Sequence, residues 1–534
     1  MAAQARTETR TPLNSYVRAR IAASDGAFEL ASAGYAAALV AAPDNEVIAV
    51  EALTHAAAAG DWPLALRAAA ILERRDALLP DARFLLLAEA FRTRDWRGAQ
   101  RQIDAIEREQ LFAFTVPVLR AWLAFGSRRG DPLAALPEPG ASGAAAVYAA
   151  EHRPLLLAAM GRDDQARAQI EADRSGGPRA VRLRIAVAAT LAADGDRRSA
   201  LALLQGDDVP IAVARALIEG RRTVPGAIDD AATGMAELLC RMALDMYAQE
   251  LPSVAAGFAR LGTWLAPDNS QTWMLAAELL ARQDRHQEAV ALLSHVEADD
   301  PFAAGARDQR VRLLVQDGQG ERALDLAQAA IRSEDARVAD LVRVGEVLMQ
   351  QDRPGEAADL FARAIEARGE ADVAYPPWSL WLFRGSAHHE AGDWPQARAA
   401  LEEAYRLAPD QPLVLNYLGY AQLEERENLS EAERMVREAH RLAPDNAAIT
   451  DSLGWALFLK GELPEAITLL ERAAEGEPDD VEINEHLGDA YFSAGRRIEA
   501  RFAWTAARIY AEEDDATRLD AKIERGLTPQ LAAR

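Results

Sequence analysis

The 534-residue chain has a single cysteine, Cys240, and two lysines, Lys460 and Lys522. One thiol excludes an intramolecular disulfide framework and any cysteine-based zinc site. Cys240 reads instead as a small apolar core residue. Aromatic residues make up only 6% of the chain. No apolar stretch approaches the roughly 20 residues that a membrane-spanning helix needs. Cations are scarce: 59 Lys and Arg stand against 83 Asp and Glu, for a net charge of −24. A chain that coats nucleic acid needs a basic face, and this balance excludes that class. Half of the residues are hydrophobic, too many for a disordered acidic polymer.

At about 100–200 residues per domain, the length suggests three or four globular domains. The beginning of the chain carries Ala3-Gln4-Ala5. This has the small-x-small form of a secretory cleavage site, but lacks the hydrophobic region that should precede one. It reads either as the remnant left by a removed signal peptide or as chance in an alanine-rich chain. The expected location is accordingly the periplasm or cell envelope, with the cytoplasm as the alternative.

A repeat replaces the count of domains. The unit Ala447–Asp480 carries Leu453-Gly454, Leu457, Ala466, Leu470, Ala473 and Pro478 at positions 7, 8, 11, 20, 24, 27 and 32. The next unit, from Val481, has Leu487-Gly488, Tyr491, Ala500, Trp504 and Ala507 at the same offsets. Units from Trp378 and Pro412 repeat the pattern, the latter with one extra residue near Asn428. Units from Ser270, Ala304 and Val338 keep a strict 34-residue step, and a more degenerate phase runs back to Pro12.

This pattern resembles the tetratricopeptide repeat, W-x2-L-G-x2-Y followed by A-x3-F, A and P. The resemblance implies an all-α solenoid, a right-handed superhelix of helix-turn-helix units. The expected organisation is a tail over 1–11, a degenerate array over 12–204, an irregular joint over 205–235, a regular array over 236–514, and a capping helix with its tail over 515–534. The spacing carries its own physical reasons. Positions 7 and 11 lie on one helical face. Position 8 is small because two helices approach closely there, and alanine at 20 and 27 keeps the second helix near its neighbour. Proline near 32 suits a turn or the first turn of the next helix. A lone unit cannot bury its apolar face, so stacking makes the core.

Catalytic signals are thin. The sequence has no P-loop, G-x-S-x-G, H-E-x-x-H or EF-hand loop. His388-His389-Glu390 has the look of a metal site, but no third ligand stands at helical spacing. Acid runs at Asp299-Asp300, Asp479-Asp480 and Glu512–Asp515 read as solvated turns. No catalytic residue, metal or cofactor is expected.

The resemblance implies that positions 2, 5, 9, 12 and 13 of each first helix line a concave groove. In the last four units this selects Ser386, His389, Asn416, Tyr420, Asp451, Trp455, Phe458, Glu485, Asp489 and Phe492 as partner-binding candidates. Asp451, Trp455 and Phe458 share one helical face, and either fill gaps in the core or form an aromatic and acidic ladder. Residues 378–514 hold 27 Asp and Glu against 13 Arg and Lys, a net of −14, which favours a basic or cationic-apolar partner. Some tetratricopeptide domains clamp a C-terminal carboxylate with Lys, Arg and Asn. Here Asn416 fits, whereas Asp451, Trp455, Glu485 and Asp489 place acid or aromatic groups where cations would be needed. The expected function is a non-catalytic scaffold for protein or peptide, resembling exported bacterial proteins of this family that assemble or recruit envelope proteins. The alternatives are a regulatory subunit of an enzyme complex and a binder of glycan or small molecule through the aromatic groove.

Overall fold

The computed structural model describes residues 12–172, 176–332, 336–369, 374–528 and 531. The tail over 1–11, with Ala3-Gln4-Ala5, lies outside them. Among the described residues there are 29 α-helices and no strand, and helices that follow one another in the chain pack together, so the protein is all-α. The chain forms two compact units, Met1–Gln319 and Gly320–Arg534.

In the first unit, seventeen helices run from Pro12–Ser24 to Ala303–Gln316. Their apolar faces merge into one core that includes Tyr35, Phe84, Leu119, Trp122, Ile185 and Leu238. A buried ionic knot crosses it. The fully buried Glu237 carboxylate accepts from Arg182 Nε at 2.9 Å, Arg179 Nη1 at 2.7 Å and Asn269 Nδ2 at 2.8 Å. Burial alone would raise the Glu237 pKa, but the two guanidiniums outweigh it and bring it down to about 2. The stretch 205–235, where the 34-residue phase is lost, holds the helix Val209–Glu219 followed by a non-helical run to Asp230. That run is tied to the Pro178–Ala193 helix. Arg182 Nη2 donates to the Gly226 carbonyl at 2.8 Å, and the Ile228 N–H donates to Thr190 Oγ1 at 2.9 Å. The division between compact units falls between Gln319 and Gly320.

In the second unit, first and second helices alternate in antiparallel pairs. The clearest are Pro377–Glu390 with Trp394–Leu407, Pro412–Glu424 with Leu429–Leu442, Ala447–Leu459 with Leu463–Gly476, and Val481–Ser493 with Arg497–Tyr510. The turn inside three of these pairs uses a left-handed glycine, Gly392, Gly461 or Gly495. The pair with the extra residue uses Arg426 and Asn428 in that conformation instead. Two first helices start on side-chain caps: Asn446 Oδ1 accepts from the Ile449 N–H and Asp480 Oδ1 from the Ile483 N–H, both at 2.9 Å, which satisfies one orphan donor per helix; the other two start on Pro377 and Pro412.

Position 8 sets how closely the two helices of a pair approach. A Cβ placed on Gly345 would lie 2.5 Å from Phe361, on Gly385 2.6 Å from Leu401, on Gly454 2.8 Å from Leu470, and on Gly488 2.3 Å from Trp504. In every case the side chain that fills the space stands sixteen residues later.

Glycine inside a helix normally costs up to about 1 kcal/mol relative to alanine. Overpacking a tight contact costs about 1–3 kcal/mol. Gly454→Ala and Gly488→Ala should therefore lower the urea midpoint, with packing winning over helix propensity. Gly257→Ala, where a Cβ meets nothing within 4 Å, should raise it. Equal stabilisation of all three variants would show that position 8 imposes no close approach.

Candidate functional site

The charge of the last four pairs is sorted by helix. Their second helices hold nine Asp and Glu and nine Arg, so they are neutral. Their first helices hold six acids, Glu390, Glu424, Asp451, Glu482, Glu485 and Asp489, against Arg384. Of the two sets of helices in this region, only the first helices carry a net negative charge, −5, and the connecting turns with residues 511–514 carry a further −9.

That side encloses a cavity of about 830 Å³. His389 and Glu390 come from the first of these helices, and Asn416, Tyr417, Tyr420 and Glu424 from the second. Asp451, Ser452 and Trp455 come from the third, and Glu482 and Ile483 from the fourth. Glu425, Arg426 and Asp480 complete the charged wall from the turns. The Tyr420 hydroxyl donates to the Glu482 carboxylate, joining two first helices across a third. Burial, followed by the charges of Glu482 and Glu424, drives the Tyr420 hydroxyl pKa well above its ordinary value. His389 Nε2 lies 3.6 Å from Glu424 and 3.9 Å from Glu425, but burial outweighs them and keeps its pKa below the ordinary value.

One wall is a stack. The Trp455 ring lies 4.7 Å from Phe458 and 4.0 Å from His486, centroid to centroid, nearly parallel to both. His486 Nδ1 donates to Asp451 Oδ2 at 2.9 Å. Burial alone would depress the His486 pKa; Asp451, with Glu482 and Asp489, overrides it and raises it to about 9. At neutral pH the tryptophan therefore carries an imidazolium on its face, a cation–π contact. Three buried atoms at this cavity have no partner in the chain: Asn416 Oδ1, Asp451 Oδ1 and Trp455 Nε1. Such a group forfeits about 1–3 kcal/mol unless something satisfies it.

The ten candidates of the sequence pattern separate into three groups. His389, Asn416, Tyr420, Asp451 and Trp455 line the cavity. Ser386 stands on the same helix as His389, its hydroxyl 3.4 Å from Glu390, and Phe458 completes the stack on Trp455. Glu485, Asp489 and Phe492 face the helix Glu513–Arg525. Arg518 gives Glu485 two hydrogen bonds, at 2.9 and 2.7 Å. Lys522 Nζ, fully buried, lies 2.6 Å from Glu485 and 2.7 Å from Asp489. Asp489 also accepts from the Trp504 indole at 2.9 Å. The Phe492 ring lies 5.6 Å from Trp504, and Gly526 passes against it. The carboxylates of Glu485 and Asp489 are thus answered within the chain.

The pattern missed Tyr417, Glu390, Glu424, Glu482 and His486. Glu482 and Glu424 occupy positions 2 and 13, which the groove rule includes, so their signal was present. His486 is at position 6, outside that rule. Among the described residues no group of three or more His, Cys, Asp or Glu is arranged to hold a metal ion, and no helix is long and apolar enough to cross a membrane. Cys240 is buried in the first unit, its thiol pushed up to about 12 by burial and by Glu237.

The family description "Tetratricopeptide repeat" matches residues 309–372, 345–412 and 382–447, and "TPR repeat" matches 454–495. No curated protein matches the chain. Among solved structures, the APC/C hetero-tetramer Cut9–Hcn1 is similar at 14% identity, covering 97% of this chain and 96% of its own, with a TM-score of 0.38. A thermophilic TPR protein of Thermus thermophilus is similar at 22% identity, over 35% of this chain and 99% of its own, with a TM-score of 0.31. A tetratricopeptide repeat protein of Parabacteroides merdae is similar at 14% identity, over 47% of this chain and 97% of its own, with a TM-score of 0.39.

Two outcomes follow. The raised His486 pKa gives a stabilisation that is complete below the ordinary value near 6.5 and is lost as pH rises through about 9. Comparing wild type with His486→Gln in urea denaturation, the difference in unfolding free energy should be largest near pH 6, on the order of 2 kcal/mol, and shrink above pH 9. A pH-independent difference would rule out the ion pair. Lys522→Met should destabilise the C-terminal pairs by about 3 kcal/mol in urea denaturation, because it leaves Asp489 buried without its cation.

Proposed function

We propose that this chain, a tetratricopeptide-repeat protein, is a non-catalytic scaffold whose second unit holds a basic segment of a partner protein along its first helices. The observation that carries this reading is the sorting of charge. Second helices neutralise their own acids, whereas the first helices surround an aromatic-walled cavity with carboxylates that cations of the same helices do not balance. A fixed negative field of this kind steers a cationic segment and rejects an acidic one. Tyr417 and Tyr420 add aromatic area that loses little side-chain entropy on contact. As a finer role we attach the recruitment of envelope proteins. Its support is the likeness of Asn416–Tyr420, Asp451–Trp455 and Glu485–Asp489 to exported bacterial members of the family.

The test is a fluorescence anisotropy titration of the full chain with labelled dodecapeptide pools, one rich in Arg, Lys and Leu and one with Glu in place of the cations. The basic pool should bind, and its affinity should fall with salt. The double variant Glu424→Gln, Glu482→Gln should weaken it about tenfold, or about 1.4 kcal/mol. Equal binding of both pools would overturn the reading, as would retention of the chain on a neutral glycan column with no response to either pool.

A further inference from the structure

The cavity of the second unit has more specific chemistry than negative charge. Position 5 of successive first helices is Asn416, Asp451 and Glu485. The partners they find differ. Glu485 receives a bidentate guanidinium from Arg518. Asp451 receives one hydrogen bond, from His486 to Oδ2, and its Oδ1 is left over. Asn416 receives nothing at Oδ1. The residue one repeat before His486 is Ser452, and its hydroxyl donates to the Ala448 carbonyl on its own helix at 2.9 Å. Two buried acceptors on adjacent helices thus face one cavity, and Asp451 is only 4% exposed. A third unpartnered group, the Trp455 indole N–H on a residue 2% exposed, is a donor.

We infer that Asn416, Asp451, Tyr420 and Trp455 form a subsite for the guanidinium of an arginine side chain carried on a partner protein. The inference rests on the basic-segment reading above. A guanidinium presents five donors in one plane, which suits two separated acceptors and leaves its faces free for aromatic rings. Tyr417 and Tyr420 supply those rings, and Glu390, Glu424, Glu425 and Glu482 supply the surrounding charge. A lysine ammonium is a compact, strongly hydrated point charge and cannot span two acceptors while stacking. The indole N–H needs an acceptor, which a main-chain carbonyl of the same segment provides and a free guanidinium does not. The source is therefore a polypeptide. Within the chain, Arg518 on Glu485 shows that position 5 accepts a forked guanidinium one repeat further on.

The test uses the full chain and four dodecapeptide pools that differ in one fixed central residue: arginine, lysine, citrulline or glutamate. Anisotropy titrations should rank arginine about tenfold tighter than citrulline and about fivefold tighter than lysine. Asn416→Ala removes an acceptor that has no partner in the chain, so helix content and thermal midpoint should hold. The advantage of arginine over lysine should fall about threefold. Equal affinity for the arginine and lysine pools, both above citrulline, overturns the subsite and leaves the basic-segment reading standing. No pool binding better than the glutamate pool overturns both. An unchanged arginine preference in Asn416→Ala overturns the assignment of the acceptor. Competition by free L-arginine amide as strong as by the arginine pool overturns the polypeptide source.

Discussion

Four pairs of the second unit rest on a contact between a glycine and the side chain sixteen residues later, and the pair with the extra residue sets Gly419 against Val436, seventeen later. Gly345 with Phe361, Gly385 with Leu401, Gly454 with Leu470, and Gly488 with Trp504 all bring a backbone against a large apolar group at distances that a Cβ would not tolerate. The contact fixes the spacing of the two helices, and that spacing determines which positions turn inward. Ala466 and Ala473 can then be fully buried on the second helix without leaving voids. The first helix is left with one face against its own partner and another against the first helix of the next pair. Positions 5 and 9 lie in this second contact and have polar groups to place there, and the cavity opens beside it.

This geometry accounts for what could be read in the residues and what could not. The helix starts at Ser270, Val338, Ala447 and Val481 coincide with unit boundaries marked by the 34-residue step. Proline and the turn glycines act locally there, and the glycine and alanine of positions 8, 20 and 27 answer to helices at fixed offsets in the repeat. The extra residue near Asn428 likewise appears as two left-handed residues in one turn. The groove was less legible because a first-helix position can face solvent, the next helix or the cap. Trp455 is both core and wall: it is 2% exposed, stacked between Phe458 and His486, and still part of the cavity. Removing it would open a void worth about 3–5 kcal/mol, so it cannot serve as a clean probe of binding. Glu485 and Asp489 looked available only because their cations come from Arg518 and Lys522, beyond the last repeat.

The acidity of the chain has two components with different consequences. On the second helices it is paired close by, as in Arg406 with Glu403, Arg434 with Glu431 and Arg441 with Glu438, all exposed and three residues apart. Such pairs contribute about 0–1 kcal/mol each and cancel in the far field. On the first helices of the last four pairs Arg384 is the single basic residue other than histidine. Of the net charge of −14 over 378–514, the first helices carry −5, the second helices none and the connecting turns with residues 511–514 the rest. A field concentrated on one face selects the sign of a partner, which an average over the sequence cannot reveal.

Position 5 links stability to recognition. At Glu485 a forked cation from the chain itself completes the hydrogen bonds, and the carboxyl is held below its ordinary pKa although burial opposes it. At Asp451 the answer is half complete, because His486 satisfies one oxygen. At Asn416 the oxygen has no answer. The cap therefore stabilises the last repeat through the same type of contact that the earlier repeats leave unfinished. A chain selected only to be stable would close those contacts with residues of its own, since each open acceptor costs about 1–3 kcal/mol. Two acceptors left open beside a cavity of about 830 Å³ can be completed by water or by a donor from outside the chain, and a donor fixed on a partner would make the contact as specific as the one the cap makes at Glu485.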